Sequence, residues 1–262
     1  VITFWNGNKS VARQEYEYQL FELLAADSKK LEPIHNDLTD YPAAEDEGAV
    51  FDNGVDALVT VAGNKKFAGK PLIEVKIPLC RGLLGWRLMV VARERIDEFR
   101  DLTLAQLKSK RVGVPATWVD AELFRANGFD VVERGSLDDM LGWIEQGEVD
   151  FMTLGVNEIH DILADPNQQT RNLAIEPTLA LYYPFPVVFY VNKNGAQLAE
   201  RLGQQWQEKQ HMVAEHFFAH YGEAIAKADL AHRQVMTLTN PMLPEGYEAL
   251  IEADLYRLTE PL

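Results

Sequence analysis

Residues 102–154 read LTLAQLKSKRVGVPATWVDAELFRANGFDVVERGSLDDMLGWIEQGEVDFMTL. Thr103 is placed to cap a helix over LAQLKSK, and RVGVP then has the apolar, β-branched character of a strand. Asp120 is placed to cap AELFRAN, which Gly128 ends, and FDVVER follows as a second strand. Leu137, Met140, Leu141 and Ile144 recur at helical spacing up to Gly147, and VDFMTL closes the stretch as a buried strand. Helices and strands alternating at this interval predict an α/β fold with a mostly parallel sheet flanked by helices on both faces.

The pattern continues upstream. Ile2 and Phe4 mark a first strand; Tyr16, Leu20, Leu23 and Leu24 mark a helix over about residues 13–26; an apolar run from Leu31 to Leu38 marks a second strand. Val55–Ala62, VDALVTVA, and Leu83–Ala92, LLGWRLMVVA, read as buried strands separated by a Gly/Lys-rich turn. Downstream of a polar turn at Asp165–Asn172, PFPVVFYVN reads as a strand leaving the second sheet. One long amphipathic helix follows, with Leu198, Leu202, Trp206, Val213 and Phe217 on its stripe. The end is broken by Pro241 and Pro244. No Gly/Ser-rich tether or internal repeat interrupts the chain, so two lobes would be joined by strands.

With 262 residues and 47% apolar composition the chain can bury a substantial core. Its 40 Asp and Glu against 25 Lys and Arg give a formal charge of −15, which repels phosphate backbones and excludes nucleic acid as an expected partner. The single cysteine, Cys80, forms no intrachain disulfide and reads as a small packed residue. The chain starts VITFWNGNKS without a basic segment leading an apolar one; a signal peptide already cleaved would not show, so this start does not argue against export.

The order of five segments carries a family resemblance: GVDALVTVAGNKKF (54–67), VKIPLCRGLLGWRLMVVAR (75–93), LTLAQLKSKRVGVPATWVDAELF (102–124), LGWIEQGEVDFMTLGVNEI (141–159) and YYPFPVVFYVNKNGAQLAERL (182–202). Together they resemble the type II extracytoplasmic solute-binding proteins of bacterial transporters. The resemblance implies a two-lobed periplasmic-binding-protein-like II fold: residues 1–98 begin lobe one, 99–186 form lobe two, and 187–262 return to lobe one. It further implies a periplasmic monomer that closes its lobes on a small polar solute, an amino acid or related organic anion, and delivers it to a membrane transporter permease.

What the resemblance implies for individual residues is incomplete. Amino-acid binders of the family place an Arg in the turn after the D-A strand, where this chain has Gly63-Asn64-Lys65-Lys66; Lys66 or Lys65 is the nearest match, without the fork geometry of a guanidinium. Thr60 lies on the strand leading into that turn. Arg87 is placed either to supply a guanidinium to the ligand or to form a hinge ion pair. The family's ammonium-holding Asp falls near Gly155 here, with Asn157 and Glu158 close enough to substitute. Thr117 and Trp118 sit where a lobe-two strand turns into a helix, as ligand contacts or as cap and core. Trp5 and Asn6 end the first strand at the position of a family cleft, with Trp5 as a plain buried aromatic the alternative.

Other chemistry finds little support. Glu45-Asp46-Glu47 lacks the alternating ligands of a calcium loop. His216 and His220 share a helix face with His211 nearby, yet no third strong ligand is evident, so no metal or cofactor is expected. Asp138-Asp139 fits a helix start rather than a catalytic dyad. HExxH, GxSxG and P-loop motifs are absent, and no enzyme is expected. A ligand-sensing module feeding a kinase or chemoreceptor is the alternative, and a lyase or dehydratase on the same fold is the remote one.

Overall fold

The structure, a computed structural model, describes residues 1–27, 29–30 and 32–251. Leu31, at the head of the predicted second strand, lies outside the described residues, as does the end of the 187–262 segment.

The chain opens with β1 (Ile2–Trp5), α1 (Val11–Ala25), β2 (Ile34–Asp37), α2 (Ala44–Gly48), β3 (Ala57–Val61) and β4 (Leu72–Val75). Next come β5 (Trp86–Ala92), α3 (Leu104–Lys108), β6 (Arg111–Val114), α4 (Asp120–Ala126) and β7 (Asp130–Glu133). They are followed by α5 (Leu137–Gln146), β8 (Met152–Gly155), α6 (Ile159–Ala164), β9 (Leu173–Ile175) and β10 (Leu179–Tyr182). The last elements are β11 (Val187–Asn192), α7 (Ala196–Glu208), α8 (Gln210–Ala228) and β12 (Gln234–Thr237).

These elements form two compact units. Val1–Gly82, Pro186–Glu223 and a piece starting at Pro244 make the first; Leu83–Phe185 and Ala224–Leu243 make the second. The first unit holds a five-stranded sheet in the order β2-β1-β3-β11-β4. β1 pairs parallel with β2 and β3, while β11 runs against both β3 and β4, so every strand but β11 points the same way. Its core is aromatic: Phe4 and Phe21 stack with centroids 4.5 Å apart, and Phe189 meets Phe21 edge-on at 5.8 Å.

In the second unit the order is β12-β10-β5-β8, with β9 also on β5. β5 is antiparallel to β8, β9 and β10, and β12 runs with β10, so β5 is the one opposed strand of this sheet. β6 and β7 form a parallel pair that joins the β8 side through a bridge from Val112 to Phe151. α5 approaches β6 closely because Gly113 has no side chain; a Cβ there would lie 2.3 Å from the Met140 sulfur. α3 and α5 start on reciprocal capping boxes, Thr103 with Gln106 and Ser136 with Asp139, and α5 stops at Gly147 in the left-handed conformation.

Four expectations are corrected. Residues 83–98 belong to the second unit rather than to lobe one: every residue of β5 is buried, and the strand is paired on both edges within the second sheet. The long helix is two, α7 and α8, parted at Lys209, whose backbone leaves the helical region at ψ 25°. The residues from Ala224 through β12 join the second unit, where β12 extends the sheet beside β10. Asp120 does not cap α4; Val119 holds the cap position and the Asp120 carboxylate points elsewhere. No helix among the described residues is long and apolar enough to cross a membrane.

Candidate functional site

In open α/β sheets the strand C-termini end in loops that can gather polar groups around a ligand. The first unit's edge begins where β1 ends. Trp5 is buried, donates from Nε1 to the Thr39 carbonyl at 2.8 Å and packs against Tyr41 with centroids 5.8 Å apart, so it takes the role of a buried aromatic. Asn6, next in line, is fully enclosed. Its Nδ2 donates to the Gln14 carbonyl at 3.0 Å, and Gln14 Nε2 donates back to the Asn6 carbonyl at 2.9 Å. Because Nδ2 must face that carbonyl, the amide orientation is fixed, and Oδ1 is left buried with no hydrogen-bond partner.

Just beyond, the chain buries charge. Lys9 Nζ lies 3.0 Å from Glu17 and donates to the Val59 carbonyl at 3.1 Å, while Arg13 holds the other Glu17 oxygen at 2.8 Å. Burial, reinforced by the Arg13 charge, draws the Lys9 amine below its ordinary pKa against the opposing pull of Glu17. Thr60 at the end of β3 accepts from Asn64 Nδ2 at 2.8 Å. Lys66 is drawn to Glu47 of α2 at 2.6 Å, so the nearest match to the family's carboxylate clamp is already ion-paired.

At the second unit's edge, Arg87 is 2% exposed and its fork is occupied. Nε and Nη2 donate to the Thr153 hydroxyl and carbonyl at 3.2 and 2.9 Å, Nη1 to the Leu84 carbonyl at 3.0 Å, and Nη2 lies 3.1 Å from Asp120. Tyr183 donates its hydroxyl to the same Asp120 oxygen at 2.6 Å, and burial together with the Asp120 charge pushes that phenol well above its ordinary pKa despite Arg87 nearby. Of the two readings open in the sequence, the geometry realises the ion pair, formed inside the second unit. A guanidinium with this many partners has no fork left for a ligand carboxylate.

Thr117 and Trp118 occupy the loop from β6 to α4, both half-buried. Thr117 sits at φ 73°, left-handed and costly for a β-branched residue, and its side chain does not cap α4. Asn157, after β8, is 4% exposed and its Oδ1 is buried without a hydrogen-bond partner. Thus Trp5, Asn6, Thr60 and Lys66 fall at one edge of the first unit, and Arg87, Thr117, Trp118 and Asn157 at one edge of the second. Lys9, Glu17, Thr153 and Tyr183 escaped the sequence reading, and Asp120 was read there as a helix cap; Lys9 carried the only signal, a charge shortly after a strand end. His211 is exposed on α8 and pairs with Glu215 at 3.0 Å, while His216 and His220 pack on α1. Among the described residues no group of three or more His, Cys, Asp or Glu side chains is arranged to hold a metal.

No family model matches the chain, and no curated protein matches it. Solved structures do. An arginine third transport system periplasmic binding protein from Legionella pneumophila superposes with a TM-score of 0.61 at 11% identity, over 85% of this chain and 98% of that one. The GluR0 ligand-binding core in complex with L-glutamate gives 0.58 at 15% identity, over 85% and 98%. A histidine kinase sensor domain similar to periplasmic binding proteins gives 0.54 at 14%, over 87% and 96%. The chain has the two-unit fold of type II periplasmic binding proteins, as the order of its sequence motifs predicted. Identities this low carry the fold and leave function to the chemistry of the two sheet edges.

Proposed function

We propose that this chain is an extracytoplasmic solute-binding protein that captures a small polar solute, an amino acid or a related compound, and delivers it to a membrane transporter without chemical change. The observation that carries the reading is the pair of buried, unpartnered amide oxygens, Asn6 Oδ1 and Asn157 Oδ1, each just past the C-terminal end of a sheet strand in its own unit. A buried acceptor without a donor costs on the order of 1–3 kcal/mol, and a solute bearing N–H or O–H groups recovers it. The fold adds support, since its solved neighbours include an arginine transport-system binding protein and a glutamate-bound receptor core.

Domain closure belongs to the proposal as the means by which binding is reported: a solute with greater affinity for one conformation shifts the population toward it. Calorimetric titration with L-arginine, L-glutamate and L-lysine, followed by small-angle scattering with and without the tightest binder, tests both parts. A saturable one-to-one heat accompanied by a smaller radius of gyration supports the proposal, and heat without compaction removes the closure part. A second reading, ligand sensing on behalf of a kinase, is favoured by the likeness to the sensor domain. Co-purification of the solute-loaded protein with a permease or with a sensor kinase separates the two.

A further inference from the structure

Helix α8 docks on α1 through an aromatic cluster inside the first unit. Tyr16 of α1 donates its hydroxyl to the Leu79 carbonyl at 2.7 Å. Its ring stacks on His216 at 4.6 Å and 12°, meets His220 edge-on at 5.8 Å, and touches Tyr221 at 4.4 Å. The two imidazoles are themselves 4.4 Å apart. His216 Nε2 lies 2.9 Å from the Tyr16 carbonyl, which can only accept, so Nε2 carries a proton; His220 Nε2 lies 2.8 Å from Gln19 Oε1. One proton per ring therefore satisfies the arrangement as it stands.

The surroundings oppose a second proton on both rings. From α1 the pair faces Tyr16 and the neutral Gln19, while Glu17, on the same helix, is committed to Lys9 and Arg13. From residues 79–82 come Cys80, buried near Tyr16, and the cation of Arg81, whose guanidinium lies 5.0 Å from the Phe217 ring centre and 5.3 Å from that of Phe218. On α8, Glu215 is paired with His211 at 3.0 Å, and Glu223 lies three residues, about one turn, beyond His220. Among the described residues no carboxylate lies within ion-pair distance of His216 or His220. Two imidazolium ions at this spacing would repel without a counter-charge.

We propose that His216 and His220 form a proton-operated clasp, which locks α8 on α1 while the rings are neutral and loosens it when both are protonated. The clasp grips the two chain segments that lead out of the first unit: α8, which continues into the second unit at Ala224, and residues 79–82, tied to Tyr16 through the Leu79 carbonyl. Burial, with His220 adding to it, draws the His216 imidazole below its ordinary value of 6.5 against the opposing pull of the Tyr16 carbonyl. A group depressed in this way favours the neutral folded form. Its contribution is complete above about pH 6.5 and is lost as the pH falls below that value toward the folded pKa. This inference does not depend on which solute is bound.

Hydrogen exchange of residues 213–221, corrected for intrinsic rates, tests it at pH 7.5 and 5.0 in the wild type, in His220→Gln and in His216→Phe. Protection in the wild type should be clearly weaker at the lower pH than at the higher one. His220→Gln, at a half-buried position, should keep its protection at pH 7.5 and lose part of the drop, and His216→Phe should lose most of it if it folds. Protection that is independent of pH in the wild type overturns the clasp. So does a drop that persists unchanged in His220→Gln, which decides the matter even where His216→Phe fails to fold.

Discussion

Arg87 and Asp120 meet at 3.1 Å inside the second unit, and the Tyr183 hydroxyl donates to the same carboxylate oxygen at 2.6 Å. The pair joins the first residues of β5 to the head of α4, immediately after the Thr117–Trp118 loop. Removing one member of a buried pair leaves the other charge stranded. Asp120→Asn should therefore lower unfolding free energy by about 3–5 kcal/mol, and Tyr183→Phe by about 1–2 kcal/mol. Urea unfolding of the two variants measures both. A loss below 1 kcal/mol for Asp120→Asn, on the scale of a solvated pair, would contradict the buried pairing.

Asp150 makes the second unit sensitive to acid. Burial works to raise its pKa, but donors from the Arg111 side chain and backbone and from Arg95 outweigh it and hold the carboxyl at about 2. The stabilisation is therefore present above the ordinary value of 3.8 and is lost as pH falls through about 2. Asp150→Asn should cost about 1–2 kcal/mol at pH 7, discounted for partial solvent screening, and should flatten the stability profile between pH 4 and about 2. Denaturation midpoints recorded across that range give the comparison; parallel wild-type and variant profiles would contradict the assignment.

Thr117 at φ 73° makes the opposite kind of prediction. Glycine adopts that conformation without a steric penalty, so Thr117→Gly should stabilise the protein by about 1 kcal/mol, net of the extra freedom glycine gains in the unfolded chain. If the hydroxyl also contacts solute, the same variant binds more weakly while melting higher. A variant that melts lower than wild type would show that the side chain makes packing contacts worth more than the strain.

Asn6→Ala and Asn157→Ala remove the two buried acceptors. Each should reduce solute affinity by about tenfold or more, the equivalent of one lost hydrogen bond to a buried group, and neither should destabilise the ligand-free protein as far as Asp120→Asn. Paired titration and melting measurements separate the effects. Unchanged affinity in both variants would remove these residues from the site.

The run from α3 to β8 was legible because most of its caps and periodicities agree with the tertiary outcome: Thr103 starts a helix and Gly147 stops one where expected, and the apolar residues of β6 and β8 are buried, while those of β7 are half-buried. Shorter strands such as β4, β9 and β12 carry three or four residues each, too few for a period to register. The break at Lys209 was invisible because the apolar stripe continues through it with no Gly or Pro to mark it. The assignment of β5 to the second unit depends on which strands pair with it, which no local pattern encodes. For the site, positions were readable and employment was not. Lys66 and Arg87 are cations at the expected places, but Glu47 and Asp120, distant in sequence, decide that both are already paired.

Binding of a small polar solute by the folded chain is read out by a thermal-shift measurement on protein unfolded, stripped of carried-over ligand and refolded. The panel should span amino acids, organic acids, polyamines and short peptides. A solute that binds only the folded state raises the apparent melting temperature in proportion to the logarithm of its concentration above Kd, by about 2.7 kcal/mol of stabilisation at a hundredfold excess. Such a rise is expected for at least one class of compounds bearing N–H or O–H donors, diminished in Asn6→Ala and Asn157→Ala. A melting temperature unmoved by every class, in protein whose unfolding is cooperative and reversible, would contradict it.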